Sequence, residues 1–203
     1  NSFGDLGAPL GKALQELIAT GAFSWPLAPA RECIRATVVG AAQHTIQVSG
    51  NTIYRSNNEL LPRKNLQVLR PPVDLSDTID SSALAQSILR HFQAFDLKEG
   101  EAEVALVFRW GGPPAAIRIA AFCRGLIDGL PVTVKDARPV YLVFDHDLAG
   151  LVGTILKNDF ELKSDLLAID GVTLHDFDFI DLGKPLEPSG TVPVTIKSLV
   201  FRL

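Results

Sequence analysis

Two stretches, Val104-Ala105-Leu106-Val107-Phe108 and Val140-Tyr141-Leu142-Val143-Phe144, are apolar without interruption. A strand reads this way when both of its faces are covered, as in a parallel sheet. Elsewhere the apolar positions fall three to four residues apart. Leu84, Ile88, Phe92 and Phe95 predict a helix over about 81–95, and Asp77-Thr78-Ile79-Asp80-Ser81 before it offers several N-caps. A further helix runs from the prolines Pro113 and Pro114, expected in its first turn, to about Ile127. Another starts at once after Asp145-His146-Asp147 and carries Leu148, Leu151, Val152 and Ile155. Near the start, Leu10, Leu14, Ile18 and Phe23 predict an amphipathic helix over roughly 6–20, ended by Thr20-Gly21.

The remaining segments read as extended. Two β-branched runs flank Gly40-Ala41-Ala42 and predict a hairpin over 35–54. Leu60 to Val68 is another extended piece, and Leu166–Leu174 with Phe177–Leu182 reads as a hairpin around His175-Asp176. Thr191–Phe201 is a last strand, with Pro193 near its start, where a lost N–H matters least. Helices alternating with strands, plus hairpins, predict an α/β fold with a mixed sheet and flanking helices. The linker Trp25-Pro26-Leu27-Ala28-Pro29 divides the chain into a leading helix and linker, 1–26, and a main lobe, 27–203.

Composition narrows the partners. At 203 residues the chain suits one large domain or two small ones, and 47% hydrophobic residues supply a sizeable core. The net charge of −4 and the lack of a basic stripe argue against nucleic acid. No apolar run reaches the length of a membrane span and no secretory leader opens the chain, so no membrane partner is expected. Cys33 and Cys123 lack metal-type spacing and read as reduced, buried thiols of a cytoplasmic protein. Methionine is absent, even at position 1, which predicts a piece of a longer protein.

Two stretches are candidates for ligand chemistry. Around the small residues Gly40, Ala41 and Ala42, backbone N–H groups with Gln43, His44 and Thr45 can receive a phosphate; the alternative is a hairpin whose small residues serve packing. Phe144, Asp145, His146 and Asp147 end a buried strand and open a helix, the edge where α/β sheets collect ligands. Asp145 and Asp147 can hold Mg²⁺, which takes oxygen ligands; alternatively Asp147 caps the helix. His175, Asp176, Asp178 and Asp181 read as a solvated turn, Trp110-Gly111-Gly112-Pro113-Pro114 as a chain reversal, and His91 as an exposed helix residue. No P-loop, Gly-x-Ser-x-Gly or Cys-x-x-Cys is present.

The stretch from Arg35 to Ile53 resembles the signature of the ethanolamine ammonia-lyase reactivating factor (EutA) family. Phe3-Gly4-Asp5-Leu6-Gly7, then Phe177-Asp178-Phe179-Ile180-Asp181-Leu182-Gly183-Lys184-Pro185-Leu186, then Val192–Phe201 resemble further segments of that family, in order. The family is similar to the actin, Hsp70 and sugar-kinase superfamily, in which two α/β lobes close over ATP and Mg²⁺. The resemblance implies a C-terminal portion, resembling one lobe of that ATPase fold, of a chaperone-like factor. Such factors exchange damaged cobalamin for adenosylcobalamin in ethanolamine ammonia-lyase, so the implied partners are that enzyme and the N-terminal half of the same protein. It implies no direct cobalamin contact here, and a cytoplasmic location that extends to a bacterial microcompartment.

The superfamily's phosphate hairpin, Asp-x-Gly-x-Gly-Thr, corresponds here to Val38-Val39-Gly40-Ala41-Ala42-Gln43-His44-Thr45. Val38 replaces the acid and Ala42 the second glycine. The adenosine-contacting glycine pair is missing from Phe144-Asp145-His146-Asp147-Leu148-Ala149-Gly150. Two other readings therefore stay open: a partner-binding module without a nucleotide role, and a metal-dependent enzyme centred on Asp145 and Asp147. One lobe cannot close a cleft, so the chain alone is expected not to hydrolyse ATP.

Overall fold

The computed structural model describes residues 6–22, 44–49 and 53–198. The chain divides into a first unit, Asn1–Val38, and a second, Val39–Leu203. In the first lies helix α1, Gly7–Ala19. It forms where the 3–4 spacing predicts, but none of its residues is buried within the chain: Leu10, Leu14 and Ile18 all face out.

The second unit is built on one sheet. Its strands are β1 (His44–Val48), β2 (Tyr54–Arg55), β3 (Arg63–Leu69), β4 (Val104–Phe108), β5 (Val140–Phe144), β6 (Leu166–Ile169), β7 (Asp178–Leu182) and β8 (Pro193–Ser198). They lie in the order β1-β8-β7-β3-β4-β5-β6-β2. From β3 to β6 neighbours are parallel; β7, β8, β1 and β2 join antiparallel. The mixed sheet with flanking helices is as the alternation of patterns predicts.

Helices α2 (Ser81–Ala94), α3 (Ala116–Asp128), the short α4 (Pro131–Lys135) and α5 (Ala149–Asn158) fall in the crossovers between the parallel strands. Each crossover steps one strand in the same direction, and the right-handed rule then puts α2, α3 and α5 on the same face. Alternation in β4 and β5 serves both faces. Leu106, Phe108, Leu142 and Phe144 meet Leu84, Ile88, Phe92, Ile119, Phe122, Leu126, Val152 and Leu156 of the helices. Ala105, Val107, Tyr141 and Val143 point the other way, into a second cluster with Ile180, Leu182, Val194 and Ile196. Side chains of β5, β6 and β8 share that cluster. This double burial is why both runs are apolar throughout.

Local signals set several boundaries. The Asp80 carboxylate accepts the Ser82 and Ala83 N–H groups and caps α2. Gly153 gives Tyr54 room against α5, because a Cβ there would sit 2.1 Å from the Tyr54 ring. Burial pushes the Tyr141 hydroxyl up to about 12, with the Glu103 charge adding to it. Burial likewise pushes the Cys123 thiol up to about 12, so it stays protonated, as the sequence predicts; Cys33 lies outside the described residues.

Three expectations need correction. The 166–182 stretch is not a hairpin: β6 lies between β5 and β2, while β7 pairs with β3. Parallel β6 leaves from the edge at which antiparallel β7 begins, so the loop between them crosses the tops of β5, β4 and β3. In the 35–54 stretch the expected second arm forms as β1, which pairs with β8, and Tyr54 opens β2, which pairs with β6; positions 35–43, the expected first arm and turn, lie outside the described residues. Pro113 and Pro114 precede α3 rather than entering its first turn, and Ala115 is its N-cap. No side chain caps α5, so Asp147 does not play that part. The last strand is described over Pro193–Ser198, and positions 199–201 lie outside the described residues.

Among the described residues no helix is long and apolar enough to cross a membrane.

Two outcomes follow from this packing. Phe122 is fully buried and meets Phe108, Trp110 and Phe144 edge-on or tilted; Phe122→Ala is expected to cost about 3–5 kcal/mol in denaturant unfolding. On the sheet's outer side, burial pushes the Asp181 carboxyl up, but hydrogen bonds from Lys197 Nζ (2.8 Å) and the Asn65 N–H (2.8 Å), helped by the Lys197 and Lys64 charges, outweigh it and hold the group below the usual range. A depressed carboxylate adds stability above its unfolded pKa and loses it as pH falls through the folded value. The stability gap between the wild type and Lys197→Met is therefore expected to narrow on acidification from about pH 7 to about pH 2, as read by thermal unfolding. A gap independent of pH contradicts this.

Candidate functional site

In open α/β sheets the carboxyl ends of parallel strands form the ligand-binding edge, because the loops there diverge and leave a crevice. Here the first residue past each parallel strand is polar: Arg70 after β3, Arg109 after β4, Asp145 after β5 and Asp170 after β6. The loop from β6 to β7 roofs this edge. It has to cross four strand spacings, about 19 Å, which its eight residues, 170–177, span comfortably.

The roof is tied down by charge-assisted bonds. Asp176 Oδ1 accepts the Arg70 backbone N–H at 2.8 Å and faces His91 Nε2 at 2.8 Å. A carboxylate only accepts, so His91 donates from Nε2. The Arg70 guanidinium donates to His175 Nδ1 at 3.2 Å, and the His175 N–H donates to Asp178 Oδ2 at 2.9 Å. Two expectations change here. His91 is not an exposed helix residue; its side chain is 11% exposed and packs on Phe95. Asp176 and Asp178 are not solvated turn residues, since each carboxylate holds backbone in place.

A second tie comes from α3. The Arg118 guanidinium donates to four backbone carbonyls: Asp77 and Gly111, both at 2.7 Å, together with Pro113 and Leu75. Its Cζ lies 4.9 Å from the Trp110 ring centroid. One side chain thus joins the loop after β3 to the loop after β4. Gly111 and Gly112 allow the contact: a Cβ on Gly111 would lie 2.8 Å from Ser76 Cα, and Gly112 has φ +68° with Ser76 O 2.6 Å from its would-be Cβ. The chain reversal read from Trp110–Pro114 has this close approach as its reason.

Two clefts open between these ties. One, of about 440 Å³, is walled by Arg70, Asp74, Ser76, Arg109, Trp110 and Asp176 among others. The other, of about 250 Å³, lies among Arg70, Arg109, Asp145, Thr173 and His175. Arg70 and Arg109 line both.

The candidate residues fall as follows. Phe144 is buried in the core as the last residue of β5. Asp145 Oδ1 accepts the Trp110 N–H at 2.9 Å and faces His146 Nδ1 at 2.8 Å, while Oδ2 lies 3.6 Å from Arg109 Nε. His146 and Asp147 are exposed. Among the described residues no three His, Cys, Asp or Glu side chains converge as a metal-binding group. Gly40, Ala41, Ala42 and Gln43 lie outside the described residues. The backbone of His44 and Thr45 belongs to β1, opposite Lys197 and Ile196 of β8. Following the pairing from β3 through β7 and β8, β1 starts at the same edge of the sheet that carries Arg70 and Asp145. Five strand steps separate β1 from β5.

Sequence reasoning missed Arg70, Arg109, Arg118 and the His91–Asp176 pair. A signal existed for the first two: each is the first polar residue after an apolar run that ends a parallel strand.

Fold and edge together define an α/β domain with a ligand-type crevice at the carboxyl ends of its parallel strands. The comparisons give that class a family. The family description "Ethanolamine utilisation protein EutA" matches residues 1–202, and the chain belongs to this family. It is 32% identical over 202 residues to the "Ethanolamine ammonia-lyase reactivase EutA" of Salmonella typhimurium, covering 98% of this chain and 40% of the relative. It is 30% identical over 170 residues to the protein of the same name from Escherichia coli K12, covering 84% of this chain and 34% of that relative. The chain thus spans between a third and two fifths of the length of these curated relatives. No solved structure matches.

Arg118→Gln is expected to lower unfolding stability by at least about 2 kcal/mol, since hydrogen bonds to charged groups are worth about 1.5–3 kcal/mol each. Arg118→Lys should not restore it, because a point ammonium lacks the planar fork that reaches both loops. Ile117→Ala, at an 80% exposed neighbour, should stay within about 0.5 kcal/mol. Equal stability of Arg118→Gln and the wild type in urea would contradict a stabilising role for this tie.

Proposed function

We propose that this chain is a portion of a reactivating factor for ethanolamine ammonia-lyase and that it acts within a longer protein. The match to the family over residues 1–202 carries this reading. The two relatives are named as reactivases of that enzyme, which makes it the proposed partner. In this reading the chain supplies one lobe of an actin- and Hsp70-like ATPase. Mg²⁺ and ATP serve the exchange of damaged cobalamin for adenosylcobalamin, in the cytoplasm or within a bacterial microcompartment.

The nucleotide contacts would come from Gly40–Thr45 and from Phe144–Asp147. The start of β1 and the end of β5 lie at one edge of one sheet, which supports the pairing of these two stretches. For Mg²⁺ the donor chemistry fits. Among the described residues Asp145 Oδ2 carries only the long Arg109 approach, and Asp147 is exposed; two carboxylates with waters or phosphate oxygens suit this cation. When bound, the ion would neutralise phosphate charge. The chain's own part is to hold Asp145 rigid through the Trp110 N–H and His146. Lobe closure then biases the partner only through different nucleotide affinities of its open and closed states.

A partner-binding module without nucleotide is the second reading. It draws support from Val38 in place of the acid and from the missing glycine pair over 144–150.

Calorimetric titration of the longer protein with Mg–ATP separates the two. Saturable binding, weakened at least tenfold by Gly40→Val, is the expected result. No binding in the unmodified protein selects the second reading. The present chain alone is expected to show no Mg²⁺-dependent ATP turnover, and robust turnover by it contradicts the two-lobe account.

A further inference from the structure

Arg70 and Arg109 end adjacent parallel strands and wall both clefts of the carboxyl edge. Three carboxylates share these walls, Asp74, Asp145 and Asp176, so a sum of charges alone would favour no anion. The hydrogen bonds decide otherwise. Each acid already accepts from the chain itself: Asp74 from the Ser76 N–H at 2.9 Å, Asp145 from the Trp110 N–H, Asp176 from the Arg70 N–H and His91. Donation by Ser76 holds the Asp74 carboxyl below its usual range, so it stays ionised and engaged.

The arginines are in the opposite condition. Among the described residues the Arg70 guanidinium meets only His175 Nδ1, through one of its nitrogens. Arg109 meets only Asp145, at 3.6 Å, beyond hydrogen-bond range, and its side chain is 78% exposed. A guanidinium offers five N–H donors in a fixed fork that matches phosphate oxygens. The indole N–H of Trp110, buried in the wall of the larger cleft, also lacks a partner among the described residues. Each of these acids thus has one oxygen engaged by the chain, while most of the Arg70 and Arg109 N–H donors have no partner among the described residues.

We propose that Arg70 and Arg109 form a two-arginine clamp for a phosphoryl group at the carboxyl ends of β3 and β4. Arg70 is the fixed member, because His175 and the Asp176 tie orient it. Arg109 is the mobile member and closes from solvent, giving up its long contact with Asp145. The assignment does not depend on the nucleotide reading, whose residues are 40–45 and 144–147. The phosphoryl group can belong to inorganic phosphate or to the phosphate chain of a nucleotide, and the recognition chemistry is the same for both.

The test is calorimetric titration of the chain with inorganic phosphate, then with Mg–ATP, at low salt. Saturable phosphate binding is expected, weakened at least tenfold in Arg109→Gln and unchanged in Arg90→Gln, an exposed arginine outside both clefts. Since Arg109 is exposed, its variant should keep the wild-type unfolding curve, so a loss of binding is not a loss of fold. If ATP displaces phosphate, and does so only when Arg109 is present, the phosphoryl group comes from a nucleotide. If phosphate binds and ATP does not displace it, the clamp stands with a free phosphate as ligand while the nucleotide reading loses support. Absence of saturable phosphate binding, or equal binding by the wild type and Arg109→Gln, overturns the clamp. ATP binding that is indifferent to Arg109 also overturns it and leaves the nucleotide reading intact.

Discussion

One guanidinium holds the working edge of this domain together. Strands β3 and β4 pair in parallel, and the loops that leave them must turn back toward α2 and α3. Loop carbonyls at such a turn have lost their ladder partners and need donors. Arg118 supplies donors to four of them at once, from a helix that is itself anchored through Ile119 and Phe122 in the core. The Gly111-Gly112 pair, the Trp110 ring under the cation and the close approach of Ser76 are consequences of that convergence. The crevice beside it keeps its shape because its walls are bonded to a rigid element.

The other wall depends on topology. Moving β7 to the far side of β3 forces a loop to traverse the edge, and that loop is fastened at Asp176 and Asp178. His91, on the helix of the first crossover, reaches across to the same Asp176. Residues 70, 91 and 176, remote in the chain, thus share one carboxylate. The consequence is a crevice in which one oxygen of each wall acid is fixed by the chain and the arginines keep most of their donors.

Family membership and fold speak to different levels of function. The family match runs along nearly the whole chain, yet the chain corresponds to only part of its relatives. The edge shows what this part can contribute by itself: a rigid platform with cationic donors at one end. In the proposed function, work on a partner enzyme would require differential contacts in two states.

The sequence by itself determined the local elements. Double-sided burial made β4 and β5 readable as unbroken apolar runs, the 3–4 spacing marked α1 and α2, and the run 77–81 offered the N-caps from which the fold uses Asp80. It also carried the family resemblance through short ordered segments. Tertiary structure decided the rest, since strand neighbours are a long-range matter. The pattern of 166–182 fits a hairpin as well as two separated strands, because alternation records which face is buried and not which strand lies alongside. The same limit hid the role of His91: its partner is 85 residues away, and helical spacing reports only neighbours within a turn or two. Arg118 looked like any polar residue on a helix until two loops were folded onto it. Whether a charged side chain is spent or free depends on what the fold brings within 3 Å, and no one-dimensional pattern contains that distance.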